Sequence, residues 1–477
     1  MAATLKFSST LTKSDLDKEA VLIVGHPKNL SKLPYADVQV KIGSRVSEEI
    51  FNEAVSILVS SSTDTIPLWL NRATIASLPV KCSRHNTPSR AHALSKIVKN
   101  GLNGGEDTIV LVCEKSELFA SVCAIARALP LYHTKTAATK EKNVTVEFYV
   151  VDAESKSPTA HDIQAFTTVS GGVRMAARIV DTPCADMHTD KFIEEVRRVG
   201  TEVNAEVLVI QGEELRERGF GGIYNVGKAA TNAPALAVLS HRPAGATATI
   251  AWVGKGIVFD TGGLCIKTKT GMCGMKRDCG GAAGVLGAFY TAVKMGFSEN
   301  LHALFCLADN AVGPNSLRPD DIITMYSGKT VEINNTDAEG RLVLGDGVAY
   351  AQKDLKADVI VDMATLTGAS GIATGRYHAS IVTNSENWEL YGVKAGQSSG
   401  DLVHPMLYCP ELHFNEFAST LADIKNSVAD RSNAQASCAG LFIASHIGFD
   451  YSGVWFHIDM AYPVSVVSRT ITHSNTA

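Results

Sequence analysis

Val253-Gly254-Lys255-Gly256-Ile257-Val258-Phe259-Asp260-Thr261-Gly262-Gly263 is a β-branched, apolar run that ends on a carboxylate and a glycine pair. Residues 249–253 read as a strand, and Phe259 stands directly before Asp260, so the carboxylate leaves an apolar strand end. The glycines around Lys255 and Asp260 allow close backbone approach and unusual dihedrals. Lys267 follows shortly after. Charged groups at strand ends are where open α/β sheets place their ligand sites.

The surroundings of this run repeat one alternation. Strands are expected at 205–210, 235–239, 302–307 and 358–363, and helices at about 280–294 and 340–352. Thr189 is placed to cap a helix through Val199, with Asp190 in the first turn where the helix dipole favours an acid. Farther upstream, 20–24, 108–112 and 144–151 are strand-length runs. Between them lie helical patterns at 48–59 and 117–129, the latter gathering Leu118, Val122, Ile125, Ala126 and Leu129 on one face. Strands separated by helices argue for a mainly parallel sheet covered on both sides. The polar stretch 152–162, with Pro158, is the linker candidate. The expected architecture is therefore a smaller N-terminal α/β domain, residues 1–165, followed by a larger α/β domain, residues 166–477. No catalytic constellation stands in the first, where charge runs such as 135–142 read as solvated surface.

The totals exclude several classes of function. Forty-four basic against 49 acidic residues leave a net charge of −5, which offers no broad attraction for nucleic acid or anionic membrane. No apolar stretch approaches the ~20 residues of a spanning helix. The first fifteen residues are polar, without a secretory apolar run, and no Arg precedes Arg45. Ten scattered cysteines suit free thiols in a reducing compartment, so a cytoplasmic location is expected.

Two further segments carry chemistry: MKRDCGGAA at 275–283, and NTDAEGRL at 335–342. Asp278 precedes a small-residue helix start that allows tight packing. Asp337 and Glu339 are two apart, so in an extended segment both point to one side. Asp260, Asp278, Asp337 and Glu339 brought together would raise one another's pKa unless a cation sat among them. Divalent metal is the natural counter-charge for hydrolysis by an activated water. Other readings are weaker. Asp260-Thr261-Gly262 matches an aspartic-protease triplet, but no second D-T-G exists. Gly254-Lys255-Gly256 lacks the Ser/Thr of a phosphate loop, and no H-E-x-x-H occurs. Cys265, Cys273 and Cys279 form no C-x-x-C pair. His457, on an apolar strand, reads as a core residue.

In order and spacing, VGKGIVFDTGG…K, MKRDCGGAA and NTDAEGRL resemble the signature blocks of the leucyl (cytosol) aminopeptidase family. DMATLTGAS at 362–370, ADIKN at 422–426 and WFHIDMA at 455–461 resemble three more. The resemblance covers about residues 171–461. It implies a catalytic domain with a mixed central sheet and a metal-dependent release of N-terminal, preferentially apolar residues such as leucine. It also implies two divalent ions per subunit: zinc, with manganese or magnesium at the exchangeable site. Lys255, Asp260, Asp278 and Glu339 would hold the tighter ion, and Asp260, Asp337 and Glu339 the exchangeable one, which takes the substrate's α-amine. A ligating lysine must be neutral, which from pKa ≈ 10.4 costs about 4.6 kcal/mol at pH 7 and is offset by a nearby dication. Lys267 would polarise the scissile carbonyl, and Arg341 would hold a bicarbonate ion that relays a proton. Met275, Thr365 and Gly368 match positions lining the first side-chain pocket. Peptide substrates and a homo-hexamer are implied, with the N-terminal domain serving assembly. One departure stands at the end. After Ala461 the family continues with a glycine-rich segment, whereas this chain runs through Tyr462 and Pro463 without glycine to Ala477. That tail motivates an alternative, a catalytically weak binding or regulatory homologue that retains the fold.

Overall fold

A computed structural model describes residues 3–60, 64–136 and 142–464. The tail from residue 465, and part of the charge run 135–142, therefore lie outside the described residues. The chain forms two compact units. One comprises the residues up to Arg174 together with Lys394–Leu402, and the other Met175–Val393 with the residues from Val403 onward.

The first unit is built on β1 (Thr4–Ser8), β2 (Ala20–Gly25), β3 (Thr65–Trp69), β4 (Ala73–Ser77), β5 (Gly105–Cys113) and β6 (Lys142–Val150), in the order β1-β6-β5-β2-β4-β3. Only the β3–β4 pair is antiparallel. Alternate residues of β2 go to opposite faces: Leu22 and Val24 join one core with Leu94 and Ile125, while Val21 and Ile23 join another with Phe51 and Leu58. Burial on both faces explains why β2 reads as an unbroken apolar run rather than an alternating one. Helices Glu48–Ser60 and Leu118–Ala128 lie where the apolar spacing puts them. The polar stretch expected as a linker ends early. Thr159 accepts a hydrogen bond from the Asp162 N–H, and Asp162 accepts one from the Thr159 N–H, so these residues start helix Ala160–Asp181.

The second unit adds β7 (Glu206–Gln211), β8 (Ala235–His241), β9 (Thr249–Asp260), β10 (Asn300–Asn310), β11 (Ile322–Thr324), β12 (Thr330–Glu332), β13 (Val359–Ala364), β14 (Ala379–Thr383), β15 (Val403–Pro405), β16 (Ile424–Lys425) and β17 (Val454–Asp459). Eight of them form a mixed sheet in the order β15-β14-β17-β13-β9-β10-β8-β7, whose central four, β17, β13, β9 and β10, are all parallel. β11, β12 and β16 make a small separate sheet.

Two local expectations change. The helix expected to be capped by Thr189 begins at Thr189 itself, with His188 at the cap position and no side-chain cap; the threonine is wholly buried. β9 does not stop at Val253 but runs 12 residues to Asp260. Its glycines do not break it because helix Gly280–Lys294 packs directly on them: a Cβ on Gly254 would stand 2.5 Å from Ala282 Cα. Tertiary packing overrides the low strand preference of glycine.

Candidate active site

The four parallel central strands deliver one polar group each to the same end of the sheet. β9 ends on Asp260 and β10 on Asn310, and these two are register partners. β13 runs into Thr365, and β17 ends on Asp459. After Asp260 the chain turns at Gly262, whose φ of +86° strains any residue with a Cβ. The turn returns the chain to Lys267, whose backbone N–H bonds the Thr261 carbonyl at 2.9 Å.

Lys255 crosses from mid-strand into this end and is 2% exposed. Its Nζ lies 2.8 Å from Asp278 Oδ2 and 2.9 Å from Glu339 Oε1, and donates to the Thr365 carbonyl at 2.8 Å. The stem passes over Gly340, where a Cβ would meet Lys255 Cδ, Cε and Nζ at 2.7 Å. Only glycine leaves that path open. Lys267 Nζ lies 2.7 Å from Asp260 Oδ2 and also contacts Asp337. Asp260, Asp337 and Glu339 each offer a carboxylate oxygen, and these lie within 4.8 Å of one another. Asp278 is held from behind by the Thr365 hydroxyl at 2.7 Å.

Crowding shows in the proton affinities. Burial, with Asp260 and Asp278 nearby, pushes the Glu339 carboxyl up to about 8 against the pull of the two lysines. Burial also raises Asp278 and Asp337, with Asp260 adding to both. Burial works to lower Lys255, but Asp278, Glu339 and Asp260 outweigh it and hold the ammonium above its ordinary range. Glu339 Oε1 faces the Lys255 ammonium, while Oε2 is buried without a hydrogen-bond partner. Arg341, on the first turn of helix Gly340–Lys353, sits over the Phe417 ring at 6.0 Å. Its Nε and Nη1 are buried without a partner, and burial lowers it to about 10. Unmatched guanidinium N–H groups in a buried setting suit a small anion.

The seven acidic and basic residues singled out in the sequence thus share one end of one sheet. Of the three residues expected to line a side-chain pocket, Thr365 is buried and tied to Lys255 and Asp278, Met275 opens the 3-10 turn Met275–Cys279, and Gly368 opens helix Gly368–Thr374. A Cβ built on Gly368 would meet nothing within 4 Å. The "cytosol aminopeptidase family, catalytic domain" model matches residues 174–476, most of the chain. The chain belongs to the cytosol aminopeptidase family. A second model, the "M17 aminopeptidase N-terminal domain 2", matches residues 19–138 of this family member. It is 58% identical over 469 residues to the human "Probable aminopeptidase NPEPL1", covering 98% of this chain and 90% of that one. Among solved structures, Caenorhabditis elegans leucine aminopeptidase superposes with a TM-score of 0.91 at 41% identity, covering 97% of this chain and 94% of that one. Trypanosoma brucei leucyl aminopeptidase, in complex with bestatin, gives 0.86 at 35% identity, covering 97% and 92%. Family membership supports aminopeptidase activity.

Several residues that organise the site were not singled out as site residues in the sequence. Asn310 Nδ2 donates to Asp260 Oδ1 at 2.8 Å and to the Thr336 carbonyl at 3.1 Å. Thr336 Oγ1 joins the Gly262 carbonyl to the Cys265 N–H. Asn426 accepts from the N–H groups of Asn334 and Asn335 and donates to the carbonyls of Asn335 and Ala338, so one amide clamps the loop bearing Asp337. A polar residue next to an apolar strand end was the available hint for Asn310. Asn426 closes the ADIKN block, but nothing local marks it as a clamp, because its partners are about ninety positions away. His457 is a core residue as expected, but a polar one: its Nδ1 pairs with Asp362 Oδ1 at 2.5 Å, and Trp455 Nε1 donates to the other carboxylate oxygen.

Proposed function

We propose that this chain is a two-metal aminopeptidase that releases N-terminal, preferentially apolar residues from peptides. The observation that carries the reading is the approach of Asp260, Asp337 and Glu339 to within 4.8 Å beside Lys255 and Asp278, with Glu339 Oε2 buried and lacking a hydrogen-bond donor. That donor set fits divalent cations: oxygen-rich, with one amine, and four of its five members almost fully buried. Lys255, Asp260, Asp278 and Glu339 would hold the tighter ion. Asp337, with a side chain 34% exposed, would complete the exchangeable site together with Asp260 and Glu339. Such ions, zinc with manganese or magnesium at the exchangeable position, supply a water made nucleophilic near neutral pH.

The remaining work falls to the chain's own groups. Lys267, whose ammonium is held above its ordinary range by Asp260 and Glu339 despite burial, stays charged and polarises the scissile carbonyl. Arg341 would hold a small anion such as bicarbonate through its unmatched Nε and Nη1 groups, an anion whose chemistry would be that of a proton relay. Met275, Thr365 and Gly368 border the pocket for the first side chain, Gly368 leaving its own edge open because a Cβ there would meet nothing within 4 Å. Assembly into a hexamer and a cytosolic location belong to the same proposal. No helix among the described residues is long and apolar enough to cross a membrane.

The test is turnover of leucine p-nitroanilide and of its N-acetyl derivative by the full chain, before and after chelation and with zinc, manganese or magnesium restored. Hydrolysis only of the free-amine substrate, lost on chelation and regained with metal, is expected. Metal binding without any turnover would instead favour a regulatory homologue.

A further inference from the structure

Asp459 is 1% exposed at the end of β17, and its carboxylate is satisfied by hydrogen-bond donors rather than by an ion pair among the described residues. Oδ1 accepts from the backbone N–H of Leu366 at 3.1 Å and of Ala461 at 3.2 Å. Oδ2 accepts from the Thr367 N–H at 3.1 Å and from the Thr367 hydroxyl at 2.6 Å. A buried carboxylate is an expensive way to tie a loop, because its desolvation is recovered only through several well-placed donors. A neutral amide in its place would turn an NH₂ toward N–H and O–H groups that need acceptors.

The segment so held is not an ordinary connection. One residue before it, the Thr365 carbonyl takes the hydrogen bond that aims Lys255. The Thr365 hydroxyl supports Asp278. One residue after it, Gly368 opens onto free space at the start of helix Gly368–Thr374, whose first turn is capped by the Thr367 hydroxyl accepting from the Ser370 N–H at 2.9 Å. The β17 backbone repeats the attachment, with the Met460 N–H on the Ala364 carbonyl at 2.7 Å. Three bonds from one side chain therefore fix the short stretch that joins the lysine–carboxylate cluster to the pocket edge, and the fourth holds Ala461 beyond the end of β17.

We infer that Asp459 is a positioning residue that holds the 365–368 turn in register, and so sets how the first side chain of a peptide is selected. The inference rests on the peptidase reading above. A helper that merely stabilised the fold would depress all substrates alike. A residue that places the pocket edge changes the preference between a large and a small first residue, because a larger side chain depends more on where that edge stands.

The experiment compares wild type, Asp459→Asn, Thr367→Val and Thr367→Ser as full-length, metal-loaded proteins. The readouts are kcat/KM for leucine and alanine p-nitroanilides and the melting shift given by bestatin. Loss of a charge-assisted hydrogen bond predicts a fall of about tenfold in the leucine-to-alanine ratio for Asp459→Asn. The bestatin shift should shrink with it. Thr367→Val should move the ratio in the same direction, and Thr367→Ser, which keeps the hydroxyl, should restore it. Should Asp459→Asn not fold, the Thr367 pair decides alone. An unchanged ratio in a folded variant, or equal losses on both substrates, overturns the inference. Wild type that neither turns over nor responds to bestatin would instead remove the peptidase reading, and the inference with it.

Discussion

Gly340→Ala tests the geometry of the site with a single methyl group. The added Cβ would lie 2.7 Å from Lys255 Cδ, Cε and Nζ, where 3.4 Å begins ordinary contact, so the lysine must yield by about 0.7 Å. A flexible surface lysine would do so freely. This one is anchored at its tip by Asp278, Glu339 and the Thr365 carbonyl and has no solvent to move into. Overpacking of this kind costs about 1–3 kcal/mol, offset by up to ~1 kcal/mol from replacing glycine in a helix. The net loss of roughly 1–2 kcal/mol should lower the melting temperature by only a few degrees in a unit of this size. Activity should fall much further, because a misplacement near 1 Å at a reacting centre costs on the order of 10²-fold. The assay is paired: thermal melting of the metal-free protein, and kcat/KM for leucine p-nitroanilide in the metal-loaded protein. A near-native melt with turnover reduced about a hundredfold is expected. Full activity in a folded Gly340→Ala protein would refute the reasoning, since the lysine would then have moved without consequence.

Other perturbations separate the roles of neighbouring groups. Glu339, raised to about 8 by burial, is largely protonated at pH 7, and Glu339→Gln keeps an oxygen for the Lys255 ammonium 2.9 Å away, so the metal-free melt should change little. The gain on adding metal at a hundred times its Kd, about 2.7 kcal/mol in wild type, should largely vanish, as read by melting with and without zinc. Arg341→Met exchanges an unmatched buried guanidinium for an apolar chain of similar length. The variant should melt at or above wild type, by up to ~4 kcal/mol, while turnover drops at least about tenfold; a large loss of stability would contradict the unmatched state of that side chain. His302 is held down to about 4 by burial and by Arg242, so in the fold it is neutral. A folded pKa below the unfolded 6.5 means its stabilising contribution is complete above pH 6.5 and is lost as pH falls toward 4, by roughly 3 kcal/mol at most. His302→Asn should flatten the fall of melting temperature across that window, and an unchanged slope would show that another group titrates there. His446, lowered to about 3 by burial, supplies part of the remaining slope.

Much of this molecule was legible before folding was considered. The alternation of strand and helix patterns gave both α/β units, because side-chain periodicity is a local property of the backbone. The placement of Asp260 after an apolar run located it at a strand end. NTDAEGRL set Asp337, Glu339 and Arg341 within one short span at the start of a helix. Where local reading failed, packing had outweighed propensity. β9 runs through its glycines because a helix of small residues lies against them, and Thr189 turns inward instead of capping.

The sequence by itself determined which groups stand ready: two lysines, four carboxylates and an arginine. The tertiary structure alone decided how they meet. Lys255 reaches Thr365 across 110 positions, Asn426 clamps the Asp337 loop across about ninety, and Asp459 holds Thr367 across 92. Such pairings depend on which strands lie side by side, and strand order follows from the burial of whole faces rather than from any residue's neighbours along the chain. The same distinction explains the chemistry. A carboxylate in a sequence is an ordinary acid, and Glu339 becomes a group that titrates near 8 only when the sheet buries it among three others.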